Sequence, residues 1–513
     1  MLIAATVEAT VAASVKRNNF LGPRLVSRMG RLGEVGEFGL NHIPAKNAAC
    51  ESGPEGSNPS LSALNTERSA LGGVVNGGDV VRYWIETLGC PKNHVDSDKL
   101  AGLLESQGYS VASSPAKADL VVANTCAFIE AAREESIETV LALADVKRST
   151  ARLVVTGCMA ERYGNELATA LPEVDLVAGF GESLTATPST PVALRSRPLP
   201  SFDLLNLPRP KSATPWAYVK IAEGCDRRCG FCAIPSFRGD QRSRSTDEIL
   251  AEGRALAEGG VRELVLIAQD LASWGHDRRR AGRGEPVEVL DEGGTQPLIE
   301  LTRTLSREVE RVRLLYLYPS GLTSALIEAI LESGVPYFDL SLQHASRPLL
   351  RAMRRWGDAE RFLERIAAIR AGDPDATFRS SFILGYPGET EDDQRRLLEF
   401  IDEAQLDWAG FFTFSSEEGT PANALGGQVP HELALERLRE VSELQDDITA
   451  RCRDALVGTR QQLLIDAPGV GRSVRECPEI DGIVMVDQSL TVGALVECEI
   501  VASHGTDLEA VRV

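Results

Sequence analysis

Three cysteines lie within eight residues in the stretch Cys225-Asp-Arg-Arg-Cys229-Gly-Phe-Cys232. This C-x3-C-x2-C spacing constrains the chain more than any other feature, because it puts three thiols on one tight loop. Three thiolates can hold three irons of a [4Fe–4S] cluster, for which thiolate is the usual ligand. The fourth iron then has no protein ligand and stays open for a substrate or a cofactor.

A structural zinc site is the alternative for these cysteines, but it needs four ligands. No fourth Cys or His lies nearby, since the nearest histidine is His276. The motif resembles that of radical S-adenosylmethionine (radical SAM) enzymes, in which the open iron binds the methionine part of SAM. In that family the aromatic residue before the third cysteine, here Phe231, lies against the adenine. The resemblance therefore implies a [4Fe–4S] cluster and SAM as cofactors.

The chain around this loop, residues 216–445, alternates strands with amphipathic helices. About six βα repeats, fewer than eight, predict a partial (β/α) TIM-type barrel, as the resemblance also implies. The stretch 379–390 resembles the strand that flanks SAM, with Ile383 placed against adenine, whereas a lone His344 is more typical of a hydrogen-bonded core histidine. The predicted strands are Trp216–Ile221, Glu263–Ala268, Arg313–Tyr318, Tyr337–Leu342, Thr377–Leu384 and Trp408–Phe414.

A second set of cysteines follows three predicted strands in residues 80–187. Cys90, Cys126 and Cys158 each come shortly after a β-type run, and helical stretches separate the runs. This alternation predicts a small parallel α/β domain, in which strand carboxyl ends meet at one edge. Position alone leaves two interpretations open, namely three buried structural cysteines or one shared metal site.

The sequences around these cysteines resemble the amino-terminal domain of methylthiotransferases, a radical SAM family. In that family the three cysteines hold a second [4Fe–4S] cluster, whose open iron carries a sulfur atom. One SAM methylates the sulfur, and a radical made from another SAM joins it to the substrate. The match covers residues 81–513, and its departures, at Ala127, Trp356 and Cys477, touch no proposed ligand. The matching phrases are Gly89–Asn93, Asn124–Ile129 and Thr156–Cys158.

A Pro- and Ser-rich stretch, 188–215, predicts a linker before the central domain. Residues 446–513 contain short β runs punctuated by Gly, Pro and Asp, which predicts a small β-barrel. This module resembles the TRAM domain that ends methylthiotransferases. Its three cysteines fit no metal-binding spacing and are interpreted as structural; they are Cys452, Cys477 and Cys498.

Two substrates compete within the resemblance: an adenosine in transfer RNA and an aspartate in small-subunit ribosomal protein twelve. The sequence motifs at 90–93, 124–129, 233–239, 342–346 and 477–482 resemble those of the branch that modifies the ribosomal protein. That branch modifies the β-carbon of the aspartate. The charge of the carboxyl-terminal module also favours the ribosomal protein. Residues 451–513 carry six Arg, no Lys and ten Asp plus Glu, which gives a net charge of −4. A module that binds RNA is expected to be basic, whereas one that binds a basic ribosomal protein can be acidic.

Composition places the chain in the cytoplasm. It has 513 residues, a net charge of −20 and no apolar run of the roughly 20 residues that a membrane helix needs. Its ten cysteines come without a secretory signal, which favours a reducing compartment. The composition of residues 1–79 predicts a disordered extension, in which Cys50 is expected to be inert. The sequence identifies neither the electron donor nor the sulfur donor.

A non-enzymatic iron–sulfur scaffold protein with a β-barrel interaction module is the remaining alternative. A scaffold does not need two cysteine sets that each leave an iron open. Reductive cleavage of SAM by the purified protein distinguishes the two functions.

Overall fold

The computed structural model describes residues 80–185, 204–278 and 296–513. The predictions for the extension 1–79 and its Cys50, and for the linker up to residue 203, lie outside these ranges. The described chain forms two compact units. Residues 90–96, 128–130 and those from 210 onward belong to one unit, and the other residues up to 209 belong to the other.

The first unit is built on a five-stranded sheet with the order β2-β1-β3-β4-β5, in which every neighbouring pair is parallel. Its central strand is buried along its whole length and is apolar from Leu120 to Ala123, as expected where a parallel sheet is covered on both faces. The predicted α/β class is confirmed. The strands are β1 (Arg82–Thr87), β2 (Ser110–Val111), β3 (Leu120–Thr125), β4 (Arg152–Gly157) and β5 (Leu176–Val177), and the helices Pro91–Ser106, Glu130–Val146 and Cys158–Ala170 follow β1, β3 and β4.

The second unit contains two three-stranded parallel sheets, β10-β9-β6 and β11-β12-β13. A parallel bridge between Leu317 and Leu340 links them, so six strands follow one another around an open barrel. The six predicted repeats are therefore present. The strands are β6 (Trp216–Lys220), β9 (Glu263–Ile267), β10 (Arg311–Leu314), β11 (Tyr337–Gln343), β12 (Thr377–Leu384) and β13 (Trp408–Thr413).

Helices of this barrel begin where the sequence offers a cap. Ser245 and Glu248 form a capping box before one helix, and Thr390 and Asp393 form another, which satisfies amides that would otherwise lack partners. Their apolar faces join one large core with the strands. The helices are Ile234–Arg238, Thr246–Glu258, Gln296–Leu305, Ser324–Glu332, Arg347–Ala352, Ala359–Gly372, Glu391–Ala404 and His431–Asp454.

The carboxyl-terminal strands close into a small barrel of five, β14-β15-β16-β18-β17. Cys477 and Cys498 are fully buried there, as expected of structural cysteines. The strands are β14 (Arg460–Ala467), β15 (Val470–Arg472), β16 (Val484–Met485), β17 (Leu495–His504) and β18 (Asp507–Arg512), while β7 (Ala222–Glu223) and β8 (Arg242–Ser243) form a separate antiparallel pair.

Buried charges tie the small barrel to the first residues of the six strands. Glu263 accepts hydrogen bonds from Arg313 at 2.7 Å and from Arg472 at 3.1 Å. Arg311 donates to the backbone carbonyls of Arg472 and Gln462 at 3.1 and 2.7 Å. Since burial of an unpaired charge is costly, this contact makes the module an integral part of the unit.

None of the helices in the described ranges is both long and apolar enough to span a lipid bilayer.

Candidate active site

The cysteine loop 225–232 follows β6 and β7 and precedes the helix Ile234–Arg238. Cys225 and Cys229 are each 8% exposed, and Cys232 is half-buried. The Cys225 amide donates to the Gly239 carbonyl at 3.1 Å, and the Cys232 amide donates to the Cys229 carbonyl at 3.3 Å. Backbone contacts thus fix the loop, in which two of the thiols are buried and the third is partly exposed.

Gly230 lets this loop approach the barrel closely. A Cβ at this position would lie 2.8 Å from the Tyr386 hydroxyl and 3.0 Å from the Ala352 carbonyl. The Gly230 amide donates to the Met353 carbonyl at 2.8 Å, and the Gly230 carbonyl accepts from the Ala422 amide at the same distance. The glycine between the second and third cysteines is thus required by packing.

Hydrogen-bond donors point at two of the sulfurs. The Arg227 amide lies 3.4 Å from Cys225 Sγ, and the Arg355 guanidinium lies 3.5 Å from Cys229 Sγ. Both arginine side chains also stack on the ring of Tyr318, at 3.8 and 4.1 Å from its centroid. Such donors stabilise thiolates that ligate iron and tune the potential of a cluster.

The chemistry of the donor set fits a cluster. Burial, followed by the Asp270 carboxylate, raises the pKa of the Cys225 thiol to about 12, so a thiolate there requires a cationic partner such as iron. Within the described ranges, no three His, Cys, Asp or Glu side chains already stand as a metal would hold them. The three thiols of the loop are therefore candidate cluster ligands.

Phe231 and Ile383 lie against the same apolar cluster, although 152 positions separate them in the chain. The buried members of that cluster come from a helix end, a strand end and a short turn, and they are Leu349, Met353, Tyr386 and Ala422. The structure therefore brings together the two side chains that the sequence assigned to adenine.

The other three cysteines follow adjacent strands of the first sheet. In register, Thr87 pairs with Asn124 and Asn124 pairs with Thr156, so β1, β3 and β4 end at one edge. Cys126 and Cys158 directly follow β3 and β4 and are 6% and 4% exposed. Cys90 comes three residues after β1, and the contacts of residues 90–96 group it with the second unit.

Gly157, the residue before Cys158, has a φ of 91°, and a Cβ there would lie 2.3 Å from Asn124 Oδ1. The turn from β4 into its helix thus requires glycine. The Cys126 amide donates to Ser136 Oγ at 3.1 Å. These local contacts fix where the cysteines leave the sheet.

A buried polar network, which sequence reasoning missed, links residues 90–96 to the central cysteine loop. Arg238 donates to both Glu223 oxygens at 2.8 and 2.9 Å and to Asn93 Oδ1 at 2.7 Å. Lys220 pairs with Asp96 and, at 2.7 Å, with Glu223. The only sequence signal was the presence of charged residues within otherwise apolar runs.

Electrostatics show that this network is well matched. Burial alone would raise the pKa of Glu223, yet Arg238 and Lys220 hold it well below its usual range. Burial alone would lower the pKa of Lys220, yet Asp96 and Glu223 raise it above its ordinary value. Glu223 and Lys220 are thus both charged in the folded protein at neutral pH.

Two further polar residues are buried in the second unit. Lys92 is 8% exposed, and burial lowers its pKa to about 8, so the ammonium form still predominates at neutral pH. His344 is fully buried and accepts a hydrogen bond from the Ser346 amide at 2.9 Å through Nδ1. His344 is therefore the core histidine that the sequence suggested.

Three family models match the chain: the uncharacterized protein family UPF0004 over residues 82–179, the radical SAM superfamily over 219–401 and the TRAM domain over 457–513. The first range contains Cys90, Cys126 and Cys158, and the second contains the 225–232 loop.

Characterised relatives match over most of the chain. The ribosomal protein uS12 methylthiotransferase RimO of Moorella thermoacetica is 43% identical over 79% of this chain and 93% of its own length. RimO of a Nocardioides species is 41% identical over 83% of this chain and 95% of its own. A solved structure, the radical SAM methyltransferase TsrM from Kitasatospora setae, aligns with a TM-score of 0.46 and 13% identity over 76% of this chain and 80% of that chain.

Proposed function

The chain belongs to the RimO family of ribosomal protein uS12 methylthiotransferases, and on that premise we propose that it adds a methylthio group to the β-carbon of an aspartate in uS12. The observation that carries this proposal is the similarity to RimO over 93% of the relative's length. The two family matches over residues 82–179 and 219–401 contain both cysteine sets. The enzyme is a radical SAM methylthiotransferase that uses SAM and iron–sulfur clusters.

We assign the radical site to Cys225, Cys229 and Cys232 as ligands of one [4Fe–4S] cluster. When bound, the cluster and SAM supply a radical that removes hydrogen from an unactivated carbon. The Arg227 amide and the Arg355 guanidinium, which already donate to two of the sulfurs, would stabilise the ligated thiolates.

Phe231 and Ile383 would hold the adenine of SAM. Their shared apolar cluster gives the base a dry surface beside the cysteine loop. An apolar wall of this kind also excludes water from the reacting carbon and so protects a radical from side reactions.

We assign the sulfur-bearing site to Cys90, Cys126 and Cys158, as ligands of a second [4Fe–4S] cluster. That group would supply the sulfur atom that is transferred. The assignment is supported by the order of β1, β3 and β4, whose carboxyl ends lie side by side, and by the family match that spans all three cysteines.

We propose that the acidic outer face of the small barrel contacts uS12. Glu497, Glu499 and Glu509 lie on β17 and β18, whereas Arg453 and Arg472 are buried against carboxylates. Their partners Glu476 and Asp466 belong to the same module, so these buried pairs cancel and the net charge of −4 over residues 451–513 remains with its other side chains. A net negative charge complements a ribosomal protein that binds RNA through basic side chains.

Reversal of these three acids to Lys should weaken uS12 binding and reduce its dependence on salt. The control reverses three exposed acids of the helix His431–Asp454, and these are Glu432, Glu436 and Asp447. If both triple variants lose the same affinity for uS12, the small barrel is not part of the interface. Tight RNA binding by the wild type would favour the transfer RNA substrate.

Mass spectrometry of ribosomal proteins and transfer RNA from a strain lacking this gene tests the function itself. We expect uS12 to lose its methylthio group and transfer RNA to keep all of its modifications. Loss of a transfer RNA methylthio group with uS12 unchanged would refute the proposal.

A further inference from the structure

Lys92 is a buried cation that no carboxylate pairs with among the residues that the structure describes. Lys92 is only 8% exposed to solvent. The Nζ atom lies 3.0 Å from the centroid of the Tyr316 ring, which is a cation–π contact. An aromatic face stabilises an ammonium group less than a carboxylate does, so a charge is left available.

The two carboxylates that act on the pKa of Lys92, those of Asp339 and Glu223, already have other partners. Asp339 accepts from Arg379 at 3.0 Å and from the Tyr316 amide at 2.9 Å. Glu223 accepts from Arg238, from Lys220 and, at 2.7 Å, from Gln269. Each of these acids thus has donors of its own, and neither forms an ion pair with Lys92 among the described residues.

The backbone of Tyr316, whose ring lies beneath Lys92, has an unusual conformation. Tyr316 has a φ of 63°, in the left-handed region that bulky residues rarely adopt. Two hydrogen bonds fix this turn, from the Tyr316 amide to Asp339 and from the Leu271 amide to the Tyr316 carbonyl at 3.3 Å. Backbone strain of this kind concentrates where a side chain must be presented in one position.

We propose that Lys92 binds the side-chain carboxylate of the substrate aspartate. The inference rests on the proposed function and deepens it, because it names the group that recognises the acid. Lys92 comes two residues after Cys90, which we assign to the site that delivers sulfur. An aspartate carries its carboxylate on the carbon that receives the sulfur, so a cation beside Cys90 would orient that carbon.

A carboxylate could also come from the methionine part of SAM. Two peptides distinguish the carboxylate of the substrate from that of SAM. An aspartate peptide and its asparagine counterpart differ only in the substrate carboxylate, whereas SAM is the same in both. The probe is a synthetic uS12 peptide that contains the target aspartate, with the Asp→Asn peptide as its partner. Equilibrium binding to the anaerobically reconstituted full-length protein is followed by fluorescence anisotropy, so no turnover is needed.

We expect the wild type to bind the aspartate peptide about tenfold more tightly than the asparagine peptide, as for a hydrogen bond between charged groups in a buried site. Lys92→Met should reduce this preference to less than about twofold, while Lys92→Arg should keep part of it. The control Lys211→Met removes an exposed lysine of the same unit and should keep the full preference.

Thermal unfolding of the substrate-free protein separates binding from a structural role. Removal of an unpaired buried charge should leave the melting temperature of Lys92→Met unchanged or higher. A marked fall would make Lys92 a structural residue and overturn the proposal.

Three other results would also overturn it. They are equal binding of both peptides by the wild type, an undiminished preference in Lys92→Met, and a raised KM for SAM in that variant with the peptide preference kept. A wild type that binds neither peptide would contradict the proposed function itself.

Discussion

Arg238 holds the segment 90–96 to the central cysteine loop, and its replacement tests whether the buried network stabilises that arrangement. The Arg238 side chain is 1% exposed and contacts Glu223, Asn93 and, at 3.3 Å, Asp96. In Arg238→Met, two buried carboxylates would share the single ammonium of Lys220. Loss of one partner from a buried ion pair costs about 3–5 kcal/mol, so we expect a loss of that order.

Urea unfolding of the cluster-free chain, followed by tryptophan fluorescence, measures this loss as a change in the midpoint. Trp216 and Trp408 are buried in the same unit and report on its core. The matched control is Arg228→Met in the cysteine loop, because Arg228 pairs with Asp240 at 2.8 Å where the side chains are 59% and 73% exposed. An exposed pair contributes about 0–1 kcal/mol.

The penalty in Arg238→Met comes from carboxylates that lack a donor. Addition of Glu223→Gln to that variant should therefore recover part of the lost stability, as a double-mutant cycle would show. A loss in Arg238→Met below about 1 kcal/mol, or no larger than that of Arg228→Met, would refute the reasoning.

Three further predictions concern the cysteine sites and the core. Replacement of all three cysteines in the 225–232 loop by alanine should halve the iron of the reconstituted protein from about eight atoms to about four, and an unchanged iron content would contradict the assignment. Cys90→Ala should abolish methylthiolation but retain cleavage of SAM to 5′-deoxyadenosine, as chromatography would detect; loss of cleavage with the central cluster intact would mean that the sites are inseparable. Burial lowers the pKa of His344 to about 4, so the unfolded chain takes up a proton below pH 6.5 that the folded chain does not. From pH 8 to pH 5 the wild type should lose on the order of 2 kcal/mol more unfolding free energy than His344→Gln, and parallel pH profiles of the two proteins would contradict this.

Much of the fold could be predicted from periodicity and turn residues. The apolar period predicts helices over 130–146 and 246–258, and the structure has helices with these bounds. Each strand of the six-stranded barrel also lies close to its predicted range. β10 is shifted, because the prediction began at residue 313 and the strand begins at Arg311. Local pattern argues against two arginines in a buried strand, and only Glu263 and the distant carbonyls of the small barrel make their burial possible.

The first helix shows the same limit at its start. The sequence pattern predicts that this helix begins at about Asp96, whereas it begins at Pro91. Proline is well suited to the first helical position, since its missing N–H needs no partner there. The polar residues of that first turn read as solvent-exposed, yet Asn93 and Asp96 are buried by partners more than 120 positions away.

The candidate site also contains some residues that the sequence identifies and others that only the folded structure reveals. Cysteine spacing and neighbouring phrases identified all six proposed ligands, because the ligands of the radical site are local in sequence and those of the second site follow strands. Lys92, Glu223 and Arg238 have no local signature, since their roles arise from contacts that only the folded chain creates.

The most direct test of the account is mass spectrometry of uS12 after incubation with the anaerobically reconstituted enzyme, SAM, a sulfide source and a reductant. Two variants accompany the wild type, one without the cysteines of the 225–232 loop and one with Cys90→Ala. The account predicts that the wild type replaces one hydrogen of uS12 with a methylthio group, on an aspartate, and that neither variant does so. A methylthiolated uS12 from either variant, or a wild type that modifies transfer RNA and leaves uS12 unchanged, would contradict it.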